Sequence, residues 1–405
     1  MMKISNRVIE MQESPLRKLV PLATEIKKKG IKVYHLNIGQ PDIETPAGFL
    51  QAISNFDKKV VSYSVSQGDP KLIKALSDYY KTQNIDFAEN EILITNGGSE
   101  ALLFSFMATC DFGDEILVPE PFYTNYNAIA KLAGITIKAI TTTSESGFKI
   151  PPFSVVQGER KNEIEKLITP KTKAILFSNP GNPTGAVYSR KELEVLAEIA
   201  KKYNLFIIAD EVYREFVYEG EFTSMTDFAE ISDRIIIIDS ISKRYSACGA
   251  RIGSLASKNM ELMANALKLC QSRLCVPTLE QIGATELFKT PLSYFEKVNA
   301  EYKKRRDIVF SKLAKIPGVE CKKPRGAFYI MAKLPVENAE DFAKWMLTDF
   351  NLNGETVMFA PAEGFYATPG LGKNEIRIAY ILEEEKLAKA MDVFASGLEK
   401  YMNLS

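Results

Sequence analysis

The residues most suited to chemistry lie in Asp239-Ser240-Ile241-Ser242-Lys243, directly after an apolar run at 235–238, with Arg251 eight positions beyond the lysine. A lysine amine can serve as nucleophile or base once its proton is lost. Hydroxyls and a guanidinium nearby can hold an anion through charge-assisted hydrogen bonds. A carboxylate, Asp210, ends a second apolar run at 205–209. In a buried strand end it costs free energy unless it finds a cationic partner. A third group is Asn96-Gly97-Gly98-Ser99-Glu100, set between a short apolar run and a helical pattern. Adjacent glycines admit close approach of a ligand, and free N–H groups at a helix start attract anions. Each group alone has an ordinary explanation: a surface lysine, a solvated strand end, a helix cap in which Glu100 suits the dipole.

The elements around them must place all three groups together. From about 48 to 288, short apolar runs alternate with helical patterns, which predicts a parallel sheet with helices on both faces. Strands are expected at 91–95, 174–177 and 205–209, and helices at 101–109 and 190–203. Ligands in such sheets gather at the carboxyl ends of strands, where Gly98, Asn182, Asp210 and Lys243 all fall. The segments before about 45 and after about 291 form a smaller α/β unit in this reading, with helices at 296–312 and 383–401. Within it, Asn374-Glu375-Ile376-Arg377-Ile378-Ala379-Tyr380 alternates like an edge strand.

In register, these segments resemble the motifs of the class I/II aminotransferases, fold type I of the pyridoxal-phosphate enzymes, with greatest likeness to the bacterial aspartate aminotransferase branch. Asn179-Pro180-Gly181-Asn182-Pro183-Thr184-Gly185 matches the NPxNPTG loop, and Asp210-Glu211-Val212-Tyr213 follows in place. The resemblance implies pyridoxal 5'-phosphate held by Lys243 as a Schiff base. Its phosphate would lie on the backbone of Gly98, Ser99 and Glu100, with Ser240 and Arg251 completing the cup. Asp210 would keep the ring nitrogen protonated, Asn182 and Tyr213 would share its phenolic oxygen, and Tyr123 of Pro119-Glu120-Pro121-Phe122-Tyr123 would stack on the ring. Tyr63, five residues before Gly68, resembles a tyrosine that reaches the partner's phosphate, which implies a homodimer with a shared site. Gly39 in Asn37-Ile38-Gly39-Gln40-Pro41-Asp42, Asn182 and Arg377 would hold the substrate α-carboxylate. Gly326-Ala327-Phe328-Tyr329 fits a strand of the smaller domain. The domains implied are 46–290, large and cofactor-binding, and 1–45 with 291–405, small.

The activity implied is transfer of an amino group from an L-amino acid, aspartate foremost, to a 2-oxo acid, 2-oxoglutarate foremost, by ping-pong steps. Lys243 would carry the proton with a pKa drawn well below its ordinary value. Two departures stand out. Pro361-Ala362 replaces the usual Pro-Gly, and Ser99 stands where part of the branch has a lysine for the distal carboxylate. Arg17, Lys18, Arg244 and Arg273 are the candidate substitutes. The alternatives are an aromatic or broad-specificity aminotransferase, or a carbon–sulfur lyase on the same lysine. A non-catalytic regulator of this fold would carry a further N-terminal DNA-binding domain, and only some 45 residues precede the large domain here.

Composition narrows the rest. With 405 residues, 46% hydrophobic, the chain can bury a large core. Its 51 basic and 51 acidic side chains give no electrostatic reason to expect nucleic acid or an anionic membrane. No apolar run nears the roughly 20 residues of a membrane helix, and no secretory leader pattern is present. Five cysteines without a CxxC pair read as free thiols in a reducing cytoplasm, with no metal site. The single histidine, His35, reads as structural, which excludes a histidine-based triad. No GxxxxGK[ST] loop or strand-borne GxGxxG supports nucleotide binding.

Overall fold

The computed structural model describes residues 2–156 and 159–404. Its larger sheet has seven strands. In chain order these are β1 (Ile92–Thr95), β2 (Glu115–Glu120), β3 (Thr136–Thr141), β4 (Thr172–Ser178), β5 (Phe206–Asp210), β6 (Ile235–Ser240) and β7 (Gly253–Ala256). They lie in the order β1-β7-β6-β5-β4-β2-β3. The pairs from β6 through β3 are parallel, and only β7 runs against its neighbours β1 and β6.

Strands covered on both faces read as unbroken apolar runs, and Ile235–Ser240 is buried along its whole length. Successive side chains point to opposite faces. Thus Ile207 and Ile237 join the core under helices α1 (Pro70–Thr82) and α3 (Arg190–Tyr203), whereas Ile208 and Ile238 join the core under α2 (Gly98–Thr109) and α4 (Met260–Arg273). Helix α3 keeps its expected bounds because both ends carry stop signals. Ser189 and Glu192 form a capping box at its start, and Asn204 closes it in the left-handed region at φ 55°.

A second sheet of four antiparallel strands, β8 (Glu320–Cys321), β9 (Tyr329–Lys333), β10 (Ala360–Pro361) and β11 (Glu375–Ala379), has the order β8-β9-β11-β10. Helices α5 (Leu292–Leu313) and α6 (Glu384–Met402) share its core. Lys32–His35 pairs in parallel with Glu355–Met358 and sends Val33 and Tyr34 into that same core. Tyr213 and Phe216, just past β5, also insert there.

Two expectations need correction. The strand bearing Arg377 is not an edge, because β9 and β10 pair with β11 on either side. Its alternation comes from facing a polar cavity on one side instead of water. Helix α5 also starts at Leu292, four residues ahead of the expected 296, because Pro291 supplies the entry. The Ala362 departure causes no strain: its φ of −96° is an ordinary right-handed value. Among the described residues no helix is long and apolar enough to cross a membrane.

Candidate active site

Strands β1, β2, β4, β5 and β6 share one direction, so their carboxyl ends open on a single edge of the sheet. A cavity of about 490 Å³ lies there. The larger sheet contributes Gly98, Ser99, Tyr123, Asn182, Asp210, Tyr213, Ser240, Lys243 and Arg251 to its lining. Gly39 and Arg377 enter from the smaller unit. Two expected residues stay outside. Tyr63 is 80% exposed, so any role at a cofactor would need a second copy of the chain. The Glu100 carboxylate turns back to accept from Asn96 N at 2.7 Å and faces Arg273 at 3.4 Å; only its backbone remains for a ligand.

Lys243 sits on the single turn Ile241–Arg244, which Ser240 caps by accepting from Ser242 N at 3.1 Å. Its ammonium donates to the Gly39 carbonyl at 2.8 Å and lies 3.8 Å from the Cys248 thiol. The expected low pKa is not found in the chain alone. Burial pulls it down, but Tyr329, Cys248 and Tyr123 pull harder the other way, and the net shift is upward. Protein groups by themselves therefore hold this amine protonated.

An anion cup adjoins it. The first-turn amides of α2 have no carbonyl a turn earlier to bond, and Arg251 approaches Gly97 so closely that a Cβ there would meet Nη2 at 2.3 Å. Gly97 also holds φ at 75°, a left-handed value that suits glycine.

Arg377 is the clearest demand for an anionic ligand. It is fully buried, and no carboxylate of the described residues pairs with it. One Nη donates to Asn182 Oδ1 at 3.0 Å, the other to the Asn37 carbonyl, and Nε has no partner. The Tyr329 ring lies 4.5 Å below the guanidinium. Burial without a counter-charge pushes its pKa down. A carboxylate arriving there would regain what was lost. Arg377→Lys should weaken binding of a carboxylate ligand about 10- to 100-fold, since a fork worth ~1.5–3 kcal/mol becomes a point charge; a titration showing unchanged affinity would remove Arg377 from the ligand site.

Asp210 is buried at the end of β5 and accepts from Tyr126 Oη at 2.6 Å. Burial pushes its carboxyl up to about 6 against the Tyr126 hydrogen bond, and the next residue, Glu211, up to about 7 against Arg214. Both groups bind a proton more tightly folded than unfolded. The stability they contribute is complete below about pH 4 and is lost as pH rises through 6 to 7. For Asp210 the shift corresponds to about 3 kcal/mol. The thermal midpoint of ligand-free protein should therefore fall between pH 5 and 7, and Asp210→Asn should flatten that slope; an equal slope in both proteins would contradict the assignment.

The chain matches the family model "Aminotransferase class I and II" over residues 31–394. It belongs to this family. The aspartate aminotransferase of Thermotoga maritima is 33% identical over 99% of both chains. The structure of an alanine aminotransferase from Pyrococcus furiosus superposes with a TM-score of 0.86 at 32% identity, covering 98% of this chain and all of that one. The aspartate aminotransferase of Thermus thermophilus, solved with maleate, gives 0.87 at 27% identity, with the same coverage.

In and behind the cavity of this aminotransferase lie residues that its motifs did not announce. Tyr329 joins Tyr213 through a 2.8 Å hydroxyl contact, and a Cβ on Gly39 would overlap its hydroxyl. Tyr126 stands edge-on to Tyr123 at 5.6 Å while it holds Asp210. Asn125 donates to the Tyr123 hydroxyl at 3.0 Å. The spacing Tyr123–Tyr126, one helical turn, was the available signal for the second of these. Of the four cations weighed for a distal carboxylate, only Arg17 lines the cavity. Lys18 pairs with Glu340, Arg273 with Glu100, and Arg244 with Asp239.

Proposed function

We propose that this aminotransferase uses pyridoxal 5'-phosphate to move the amino group of L-aspartate to 2-oxoglutarate, with Lys243 as proton carrier. The observation that carries the reading is the unpaired, buried Arg377 in one cavity with Lys243, Asp210 and the anion cup. The residues fit the cofactor: a phosphate suits Arg251 and the α2 amides, and a cationic ring nitrogen suits a buried carboxylate that lacks a cation of its own. When bound, pyridoxal phosphate supplies an aldehyde that takes up the amino group and a ring that draws electrons from the α-carbon.

The chain's own residues do the remainder. Arg377 and Asn182 orient the amino acid by its α-carboxylate. Lys243 Nζ, in its neutral form once it has given up its own proton and left the Gly39 carbonyl, takes the α-proton and passes it on. Asp210, steadied by Tyr126, stays ionised beside a positive charge. Tyr123 and the Tyr213–Tyr329 pair line the cavity and limit water there.

Aspartate is favoured by Arg17, which has no acidic partner among the described residues, and by relatives named for that substrate. A broad or aromatic specificity is the second reading, favoured by Ser99 and by the apolar Leu16, Ile38 and Leu102 in the lining. Turnover of aspartate, phenylalanine and alanine with 2-oxoglutarate separates them. Aspartate should show the highest kcat/KM, and Arg17→Ala should raise its KM about tenfold, the worth of one ~1.4 kcal/mol contact, while leaving alanine unaffected. Phenylalanine well ahead of aspartate would replace the first reading by the second.

We infer further that 46–290 acts as a large domain and 1–45 with 291–405 as a small one; each sheet lies wholly within one of these units. A homodimer is supported by the exposed apolar run Val60, Val61, Tyr63 and Val65. Five free cysteines support a cytoplasmic setting.

A further inference from the structure

We propose that four buried side chains behind the cavity, Glu211, Arg214, Asp239 and Arg244, form a hydrogen-bonded tether that holds the Lys243 turn in one fixed relation to the end of β5. The proposal rests on the reading above, in which Lys243 and Asp210 act on the same bound molecule.

Each member is next in sequence to a cavity residue or one turn from it: Arg244 follows Lys243, Glu211 follows Asp210, and Asp239 precedes Ser240. Arg244 donates to both oxygens of Asp239, at 2.5 and 2.7 Å, and so closes a loop around the lysine turn. Arg214 donates to Glu211 at 3.0 Å and reaches toward Asp239 at 3.9 Å, which joins the two strand ends sideways. Glu211 is anchored in turn by Ser224 Oγ at 3.0 Å and Met225 N at 2.9 Å. From α1, the Tyr79 ring packs 4.3 Å from the Arg244 guanidinium and the Tyr80 ring 5.1 Å from that of Arg214. Tyr79 itself donates to Glu215.

Stability alone does not explain this cluster. All four side chains are buried, and taking ion pairs out of water costs about as much as the pairing returns, so apolar residues of the same shape are often equally stable. Nε of both arginines and Nη1 of Arg214 have no hydrogen-bond partner, a further cost. What the charges add over apolar packing is direction. Nη2 of Arg244 straddles both Asp239 oxygens while the guanidinium plane packs on the Tyr79 ring, which together fix the geometry of the turn, and that turn aims Lys243.

The test compares Arg244→Met, the double variant Asp239→Asn/Arg244→Met, and Arg244→Lys. The single methionine variant strands Asp239 and should lose much of its thermal stability or fail to fold. The double variant removes one charge of each sign and should recover a midpoint near the parent's. Its kcat should nonetheless fall on the order of 10²-fold, the cost of a slight misplacement, with KM for the amino acid unchanged because Arg377 is untouched. Capture of pyridoxal phosphate by Lys243 in cofactor-free protein, followed by visible absorbance, should slow by about tenfold as well. Arg244→Lys keeps the charge but not the planar group packed on the Tyr79 ring, and it should show the same pattern more weakly. Parental kcat and parental capture rate in the double variant, or in Arg244→Lys should the double variant not fold, would overturn the tether. A parent protein that takes up no pyridoxal phosphate at all would instead sink the functional reading, and the tether with it.

Discussion

Lys243→Ala should lower turnover at least about 10³-fold while the protein keeps its fold. A positioned base contributes ~10²–10⁴-fold by itself, and under the proposed function the same amine is also the point of cofactor attachment. No neighbour can replace it. His35 lies in the strand Lys32–His35 against Lys27, at 2.6 Å, and does not line the cavity. Arg377 remains protonated at any working pH. Burial lifts the Tyr213 phenol well above its usual range, so it is a poor base. The structural cost is small, since Lys243 forfeits one hydrogen bond to the Gly39 carbonyl, about 1 kcal/mol. Single-turnover kinetics together with a melting curve decide it. Near-parental turnover in a folded variant would remove Lys243 from the chemistry.

Asp210→Asn should cost about 10²–10³-fold in kcat, the usual effect of removing one preorganised electrostatic partner, with little change in KM. The amide matches the carboxylate in shape, and Tyr126 can still donate to its oxygen, so packing at the end of β5 is preserved. What disappears is the negative charge that the proposed function sets beside a cationic ring nitrogen. The anion cup at Gly98, Ser99 and Arg251 lies on other strand ends and should retain the cofactor. Cofactor content and kcat measured on the same preparation separate the two effects. Full cofactor with parental kcat would mean that the ring does not depend on this carboxylate.

The larger sheet was readable because its strands are unbroken apolar runs, and each run ends at a residue with chemical potential. Parallel order then brings Gly98, Asn182, Asp210 and Lys243 to one edge by a rule that needs no long-range information. The rest depends on how distant segments meet. Tyr329 looked like a strand residue, yet packing of β9 against residues 36–40 turns its hydroxyl onto Tyr213. Arg244 looked like a second carboxylate reader, but Asp239, five residues back, draws it out of the cavity. Arg377 had the alternation of an edge strand because a polar cavity and bulk solvent leave the same trace in a sequence. Lys243 was expected to be acidified by its surroundings, although the surrounding phenols and thiol act in the opposite sense.

The guanidinium of Arg377 bridges Asn182, on the loop after β4, and the Asn37 carbonyl, in the N-terminal segment. Under the proposed function, the groups that move protons and hold the cofactor stem from the larger sheet, while Arg377 arrives from the other unit and meets Asn182 over the amino acid. Selectivity and reactivity are thereby separable traits. Repacking around Arg17 can change which amino acid is admitted without disturbing Lys243 or Asp210. A lineage with this architecture is free to change its diet while it keeps its reaction.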